Sequence, residues 1–341
     1  MSERAARIET FLAETGWAAA ERTPMAGDAS FRRYLRLHGR EGRAIVMDAP
    51  PPHEDVRPFT KVARVLTTLG FSAPTILAAD EAAGLLLIED LGDWPMARVL
   101  AEGTTPAETL YALASDTLAA LHEAWDGSGG AVPGDLLPPY DNDVLIEREA
   151  MLLPDWYAPA VGVHLDAAAR QAYAAAWREA LTTAHGLPQT LVLRDYFPDN
   201  LMYLTHRPGV RACGLLDFQD ALIGPCAYDL MSLLQDARRD VPETLEEAMI
   251  RRYLTARPGL DPECFRAGYT VLAAQRHAKV IGIFTRLAHR DGKPGYLRHM
   301  PRLWRLLEAG LAHPALAPVA AWFDVRLPPD TRGTPRAEVP A

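Results

Sequence analysis

The sequence predicts an α+β fold with a small, antiparallel β-rich N-terminal lobe and a larger, mostly helical C-terminal lobe. Short strand-like segments separated by turn residues occupy residues 1–91, whereas long helical patterns dominate residues 92–326. The chain has 341 residues, of which 49% are hydrophobic, so it is long enough for two lobes with a substantial core. Residues 327–341 lack periodicity, and we predict that they form a disordered tail.

In the N-terminal lobe, the pattern predicts an amphipathic helix over residues 1–17 and a β-hairpin whose turn is at residues 38–42. Three prolines at 50–52 end the second hairpin strand, because proline cannot donate to a ladder. A helix over 56–69 ends at Gly70. The predicted strands of this lobe are 31–37, 44–47, 75–79 and 85–88.

In the C-terminal lobe, apolar residues recur at helical spacing; Leu110, Leu113 and Leu121, for example, share one face. A Gly- and Pro-rich stretch over 127–139 predicts a surface loop. The predicted helices are 106–125, 144–152, 166–184, 227–236, 245–254, 262–287 and 296–311.

Three polar residues follow short apolar strands in the middle of this lobe. Residues 191–193 predict a strand that leads to Asp195, and strands 201–203 and 214–216 lie next to Asn200 and Asp217. A general base is a carboxylate within reach of the nucleophile, and Mg²⁺ takes hard oxygen ligands. The order Asp, Asn, Asp therefore predicts phosphoryl transfer, with Asp195 as the base and the other two as metal ligands. In the alternative interpretation, Asp195 and Asp199 cap turns in a solvated loop and Asp217 ends a strand.

The whole chain resembles the aminoglycoside phosphotransferase-like branch of the protein-kinase-like fold, and within it the bacterial N-acetylmuramate/N-acetylglucosamine anomeric kinases. The segment Asp-Phe-Gln-Asp-Ala-Leu-Ile-Gly-Pro at 217–225 is the narrowest of the shared motifs. The other segments that carry the resemblance are 27–34, 45–51, 193–196, 199–202, 214–221, 228–230, 282–284 and 286–287.

The resemblance implies a two-lobed kinase fold and ATP-dependent transfer to the anomeric hydroxyl of the amino sugar, with Mg²⁺. It implies that Asp195 is the catalytic base and that Asn200 and Asp217 bind the metal. The hairpin 27–34, with Ser30, Phe31, Arg32 and Arg33, would cover the nucleotide phosphates. The linker 86–91, with Glu89 and Leu91, would meet adenine.

Two departures from the family pattern stand out. Phe197 occupies a position where His is commoner, and an aromatic ring there could simply pack. The lysine expected on the third strand is absent, since that stretch reads Val46-Met47-Asp48. Arg32 or Arg33 could meet phosphate instead, with at most one of them facing it because side chains alternate along a strand. Solvated hairpin arginines are the competing interpretation.

Candidate substrate-binding residues are Asp199, Gln219, Asp220 and Arg276. Gln219 and Asp220 either touch sugar hydroxyls or cap the turn after the metal ligand. Arg276 and Lys279 are neighbours on one helix and could meet the lactyl carboxylate of N-acetylmuramate, although a solvated basic face is favoured. We expect Asp229, at a helix start, to brace the catalytic loop, and His122 to be packed or capping.

Composition limits the other classes of partner. A net charge of −9 argues against nucleic acid. The three cysteines have no metal-ligand spacing and cannot all pair, which favours a reducing compartment. Neither a signal-peptide core nor an apolar run of about 18 residues is evident. We therefore expect a cytoplasmic enzyme that binds ATP and a small amino sugar, with no membrane or obligate protein partner.

Three functional hypotheses follow. The first is the anomeric amino-sugar kinase. The second is another small-molecule kinase of the same fold, acting on an aminoglycoside, a choline-like compound or an amino-acid alcohol. The third is a nucleotide-binding pseudokinase, which the absent strand lysine suggests and the complete Asp195, Asn200 and Asp217 set opposes.

Overall fold

The computed structural model describes residues 3–25, 31–40, 42–125 and 137–336. Ser30, the turn residue Glu41, most of the predicted loop at 127–139 and the last five residues lie outside this part of the chain. Contacts divide the chain into two units. The first comprises Met1–Ala124 with Pro198–Ala221, and the second comprises Trp125–Phe197 with Leu222–Ala341.

The strands of the described residues confirm every predicted strand, with ends shifted by two residues or fewer. Two further strands, β1 and β9, were not predicted; β1 has no apolar alternation that could have revealed it. In chain order the strands are β1 Glu21–Pro24, β2 Arg33–Gly39, β3 Gly42–Asp48, β4 Ile76–Asp80, β5 Leu85–Glu89, β6 Gln189–Val192, β7 Leu201–Tyr203, β8 Cys213–Leu215 and β9 Leu222–Pro225.

The helices confirm the predicted helical segments and add α3, α5 and α11. In chain order they are α1 Glu3–Glu14, α2 Arg57–Thr68, α3 Met96–Glu102, α4 Ala107–Ala124, α5 Ala158–Ala160, α6 Ala167–His185, α7 Tyr228–Leu234, α8 Glu243–Ala256, α9 Pro262–His289, α10 Met300–Leu311 and α11 Ala317–Arg326. The predicted helix at 144–152 is wound more widely than an α-helix: Asp143–Ala150 and Leu153–Tyr157 are π-helical.

The first unit contains a five-stranded antiparallel sheet in the order β1-β2-β3-β5-β4. One face of the sheet is covered by α1, whose Phe11 and Leu12 pack with Leu37, Val46 and Leu87. The amphipathic N-terminal helix is thus confirmed, since its apolar face forms part of the core of the sheet.

The β7–β8 hairpin belongs to the same unit as this sheet. The N–H of Leu215 donates to the carbonyl of Ser72 at 2.8 Å, and the Ser72 hydroxyl donates to the carbonyl of Arg211 at 2.7 Å. Leu91 packs against Met202 in a small apolar cluster. This unit also includes α3 and α4, which pack on the β7–β8 hairpin and on each other. The predicted division into lobes 1–91 and 92–326 stays a prediction.

The second unit is built around α9, a 28-residue helix that is buried along most of its length. It packs against α6, α7, α10 and both π-helical segments. Gly282 makes one of these contacts possible, because a Cβ atom there would lie 2.3 Å from the backbone carbon of Leu152. This close approach explains why a glycine occurs in the middle of a long helix.

The prediction of a disordered tail is wrong for residues 327–336. The hydroxyl of Tyr157 donates to the carbonyl of Thr331 and accepts from the N–H of Gly333, both at 2.8 Å. Arg332 forms an ion pair with Asp324 at 3.0 Å, and Leu327 is fully buried. The sequence could not show these anchors, because Tyr157 lies about 170 positions away along the chain.

Within the described residues, no single helix is long and apolar enough to span a membrane. The bent pair Pro294–Leu311 and Pro314–Arg326 meets the criterion on length and composition alone.

Candidate active site

Asp195 follows strand β6, and one buried carboxylate binds the backbone where that strand ends. Strand β6 pairs with β9 in the second unit, with Val192 opposite Leu222. Immediately after β6, the N–H groups of Leu193 and Arg194 donate to the two carboxylate oxygens of Asp229, at 2.6 and 2.9 Å. The prediction that Asp229 braces this loop is confirmed.

Asp229 is fully buried at the start of α7. Burial raises the pKa of its carboxyl to about 7, and the hydrogen bonds from Leu193 and Arg194 offset part of that rise.

Arg194 has a left-handed backbone, with φ of 69°, which is unusual for a residue with a Cβ atom. The N–H of Asp195 donates back to the carbonyl of Leu193 at 2.9 Å, so the chain reverses within three residues. The carbonyl of Arg194 accepts from Arg276 at 3.2 Å and from Ser232 at 3.4 Å. The surrounding contacts thus fix a strained conformation, as is common next to catalytic groups.

The side chain of Arg194 joins a buried charge network centred on Glu149. The Glu149 carboxylate accepts from Arg194 at 2.6 Å, from Lys279 at 2.7 Å and from the hydroxyl of Tyr140 at 2.8 Å. Gln275 adds a fourth hydrogen bond at 3.2 Å. Burial alone would raise the pKa of Glu149, but Lys279 and Arg194 lower it to about 2, so the carboxyl is ionised at neutral pH.

Arg276 links this network to Asp195. Its guanidinium donates to the hydroxyl of Tyr228 at 3.0 Å and lies 3.6 Å from a carboxylate oxygen of Asp195. The side chain of Arg276 is 9% exposed, whereas that of Asp195 is 40% exposed. The supporting cation is therefore buried, and the carboxylate that it faces is accessible.

The solvated basic face favoured for this helix is wrong. Arg276 and Lys279 are both buried, because α9 is surrounded by other elements of the unit. They pair with Asp195 and Glu149, respectively.

In the first unit, a short hairpin brings Asn200 and Asp217 together. Strand β7 pairs with β8 so that Leu201 lies opposite Leu215. Asn200 precedes β7 and Asp217 follows β8 by two residues, so both lie at the same end of the hairpin. The Asn200 amide donates to Asp217 at 3.4 Å, and the N–H of Leu216 donates to the carbonyl of Asn200 at 3.0 Å.

Asp217 is also constrained by its neighbours. It has a left-handed backbone, with φ of 56°, and the amide of Gln219 donates to its second oxygen at 2.8 Å. Phe218, which is fully buried, stacks on Phe59 of α2 with ring centroids 4.9 Å apart. The buried ring therefore anchors the segment that presents the carboxylate.

A pocket of about 800 Å³ in the first unit includes these polar groups. One part of its lining is apolar, formed by residues from the sheet and the hairpin: Ile45, Met47, Ile88, Leu91, Met202 and Leu216. The polar part includes Glu89, Asp199, Asn200, Asp217 and Gln219. An apolar surface next to a group of polar side chains suits a ligand that has a flat ring and a charged chain.

Some of the residues predicted to bind the nucleotide line this pocket, and others do not. Glu89 and Leu91 line it, whereas Phe31, Arg32 and Arg33 are absent from its described lining. Phe31 stacks on His53 with ring centroids 5.0 Å apart, and Arg32 pairs with Glu54 at 3.0 Å. The side chain of Arg33 is 73% exposed. The role of these three residues stays a prediction, as does that of Ser30, which lies outside the described residues.

The predicted substrate-binding residues also differ in whether they line the pocket. Asp199 and Gln219 line the pocket in the first unit, whereas Asp220 is exposed and is not part of the described lining. Phe197 is buried in the second unit beneath the guanidinium of Arg238, at 4.9 Å. Its ring packs, as the sequence suggested for an aromatic residue at that position. His122 is buried and therefore packed, as expected.

Sequence analysis missed the arginine on β2 that lines the pocket and the carboxylate at the centre of the network. Arg36 pairs with Asp90 at 2.9 Å and also with Asp93. Both carboxylates lie in the linker after β5. Glu149 follows the apolar residues Leu145 and Ile146 by four and three positions in a helical segment, and this spacing was the available signal. Its partners Lys279 and Arg194 are 130 and 45 positions away, so no local pattern could identify them.

Asn200 and Asp217 offer one amide oxygen and one carboxylate to a cation. This hard oxygen donor set fits Mg²⁺, which takes one or two carboxylates and completes its shell with phosphate oxygens and water. Elsewhere in the described residues, no group of three or more His, Cys, Asp or Glu side chains could hold a metal ion. The pair is thus suited to a metal that arrives with a nucleotide.

The chain belongs to the phosphotransferase enzyme family, whose domain matches residues 21–264. It is 43% identical over 320 residues to an N-acetylmuramate/N-acetylglucosamine kinase of Pseudomonas aeruginosa, covering 91% of this chain and 90% of that protein. A protein of the same name from Caulobacter vibrioides is 39% identical over 360 residues, covering 97% of this chain and 99% of the relative. The resemblance stated from the sequence is confirmed.

Among solved structures, the chain is similar to the GDP complex of wild-type aminoglycoside 2′-phosphotransferase-IIIa, with a TM-score of 0.58 and 13% identity. The match covers 91% of this chain and 99% of that one. At this identity the likeness shows the fold, and the predicted protein-kinase-like α+β class is confirmed.

We predict that Glu149→Gln destabilises the protein by about 3–5 kcal/mol, because Lys279 and Arg194 lose a buried counter-charge. The depressed pKa of Glu149 favours the folded state above the ordinary pKa of 4.5, and this contribution of about 3 kcal/mol is lost as pH falls toward 2. The difference in urea unfolding free energy between wild type and variant should therefore shrink between pH 4.5 and 2.

The matched control is Glu147→Gln. Glu147 lies on the same helical segment, but it is about half exposed and pairs with Arg178 at 3.6 Å. An exposed pair of this kind contributes about 0–1 kcal/mol. Equal destabilisation by both variants, or a Glu149→Gln effect that does not change with pH, would contradict the role assigned to the network.

Proposed function

We propose that this protein transfers the γ-phosphoryl group of ATP to the anomeric hydroxyl of N-acetylmuramate and N-acetylglucosamine, giving the sugar 1-phosphate in cell-wall recycling. The observation that carries the proposal is the identity of 39–43% to two kinases of that name, over nine-tenths or more of each chain. The Asp195, Asn200 and Asp217 set supports it, because each of these residues has the side chain that its role requires.

Asp195 is assigned the role of general base. Its carboxylate is accessible, and the backbone before it is held by Asp229 and Arg276. A base must be ionised and already in position when the acceptor binds. The positively charged guanidinium of Arg276 lies 3.6 Å from this carboxylate and helps to hold it in place.

In the proposed reaction, Asp195 accepts the proton of the anomeric hydroxyl as its oxygen bonds to the γ-phosphorus. The bond between that phosphorus and the oxygen bridging to the β-phosphorus breaks, and ADP leaves with the bonding electron pair. Such transfers involve little covalent chemistry by the protein, so positioning and charge supply most of the acceleration.

Asn200 and Asp217 are assigned to Mg²⁺. When bound there, the ion would offset charge on the β- and γ-phosphate oxygens. Gln219 holds one oxygen of Asp217, and the β7–β8 pairing fixes the two ligands at one hairpin end.

The pocket of the first unit is assigned to the nucleotide. Its apolar lining suits a flat base, and the linker from Leu86 to Leu91 would offer backbone groups to adenine. An ATP-dependent reaction on a small sugar also supports a cytoplasmic location and requires no macromolecular partner.

Purified protein with ATP and Mg²⁺ should consume ATP with N-acetylmuramate and N-acetylglucosamine but not with glucose, kanamycin or choline. A ³¹P NMR spectrum should then show a sugar 1-phosphate. Turnover with kanamycin or choline alone would replace the substrate assignment with another small-molecule kinase of the same fold. A thermal shift with ATP but no turnover of any acceptor would favour a pseudokinase.

We predict that Asp195→Asn lowers kcat by about 10²–10⁴-fold, because the amide cannot accept the proton of the hydroxyl. The urea midpoint should change little, since the Asp195 side chain is 40% exposed. Asp155→Asn, at an exposed carboxylate of the same unit, is the control and should retain the wild-type rate. A near-normal kcat for Asp195→Asn would remove the base assignment.

We predict that Asp217→Asn weakens the Mg²⁺ dependence of nucleotide binding, because the site loses its only assigned carboxylate. Isothermal titration with ATP at several magnesium concentrations measures this directly. The control is Asp55→Asn, whose carboxylate pairs with Arg57 in the same unit. A magnesium titration identical to that of the wild type would refute the assignment.

A further inference from the structure

Arg238 is an exposed arginine of the second unit without a carboxylate partner. In the described residues, no carboxylate oxygen lies within 4.0 Å of its guanidinium, whereas the adjacent Arg239 pairs with Asp236 at 3.5 Å. The guanidinium instead lies over two rings, 4.9 Å from the centroid of Phe197 and 5.8 Å from that of Phe284. Its charge is therefore available to a ligand.

This arginine lies close to the base. Phe197 is two residues after Asp195, and two residues of chain span at most about 7 Å. The backbone between β6 and Phe197 is fixed by Asp229 and Arg276. The N–H of Arg238 itself donates to Asp236 at 2.9 Å, just beyond the end of α7. The backbone of Phe197 thus lies within about 7 Å of that of Asp195, and the guanidinium of Arg238 lies 4.9 Å from the centroid of the Phe197 ring.

The other cations considered for a sugar carboxylate are already committed. Arg276 donates to the carbonyl of Arg194 and to Tyr228, and it faces Asp195. Lys279 is buried against Glu149 at 2.7 Å. Binding a carboxylate with Lys279 would break its buried ion pair with Glu149, which is costly, and binding one with Arg276 would disrupt its contacts with Arg194, Tyr228 and Asp195.

The environment of Arg238 favours a planar anion. An arginine stacked on an aromatic ring keeps its N–H groups free at the edge of the guanidinium, where they can donate in parallel to both oxygens of a carboxylate. Next to it, the ring of Phe284 packs with Tyr296 at 5.0 Å and with His299 at 5.8 Å. These rings provide an aromatic surface beside the charge.

We propose that Arg238 binds the lactyl carboxylate of N-acetylmuramate and so favours this sugar over N-acetylglucosamine, which lacks that group. The inference rests on the proposed function, and it replaces Arg276 with Arg238 as the residue that meets the substrate anion. Phe197 is the platform that orients the guanidinium. Phe197 stands at a position where His is commoner, and in this proposal its ring has the function of holding Arg238.

The test compares kcat/KM for N-acetylmuramate, its neutral carboxamide and N-acetylglucosamine. A charge-assisted hydrogen-bond pair changes affinity by about tenfold to a hundredfold. Arg238→Ala should lower the kcat/KM ratio of N-acetylmuramate to N-acetylglucosamine by that factor. Wild type should prefer the acid to its carboxamide, and the variant should not distinguish them.

Arg238→Gln is a second variant that keeps a planar side chain over Phe197 but removes the charge, and it should give the same fall in the ratio. Arg251→Ala is the control, because Arg251 is an exposed arginine of the same unit that pairs with Glu247. An unchanged ratio in both Arg238 variants, with wild-type thermal stability, would overturn the inference while leaving the proposed kinase intact. Failure of wild type to phosphorylate either sugar would overturn the proposed function itself.

Discussion

The two hydrogen bonds that the carboxylate of Asp229 accepts from Leu193 and Arg194 determine where the chain turns ahead of Asp195. Without them, Arg194 would have little reason to adopt a left-handed backbone, which costs about 1–3 kcal/mol for a residue of this type. Asp229 lies in the first turn of α7, and α7 packs on α9. The position of Asp195 is therefore set by the packing of two helices rather than by the loop itself.

Beneath this turn, the second unit buries several charges together. Glu149, Lys279 and Arg276 are each inaccessible, and isolated burial of any of them would cost several kcal/mol. The hydrogen bonds that Glu149 accepts from Lys279 and Arg194, and those that Arg276 donates to Arg194 and Tyr228, offset that cost only while all partners are present. Such a network adds little net stability, but it allows few alternative arrangements of Arg194 and hence of Asp195. The accessible carboxylate of Asp195 is thus held in place because the buried residues next to it are themselves held in place.

The sequence predicted the parts of the site that local pairing creates. Residues 201–203 and 214–216 are close in the chain, and their apolar character was enough to predict two strands next to Asn200 and Asp217, which the structure pairs as a hairpin. Asp229 was also anticipated as a brace. Glu149 was not, because its role depends on Lys279, 130 positions away. The burial of Arg276 was missed for a related reason: α9 carries apolar residues on most of its circumference, and its two cations were taken for a solvated face.

The positions of the β3 side chains show what stands in place of the absent strand lysine. Ile45 and Met47 line the pocket, whereas Val46 packs in the core beneath α1 and Asp48 pairs with Arg4 at 2.8 Å. The strand therefore gives the pocket no cation. In the described lining, Arg36 is already paired with Asp90 and Arg98 with Glu102 at 2.7 Å. Under the proposed function, Asn200 and Asp217 then support a larger share of the phosphate charge through their metal. This explains why Asp217 is fixed by both Gln219 and Asn200.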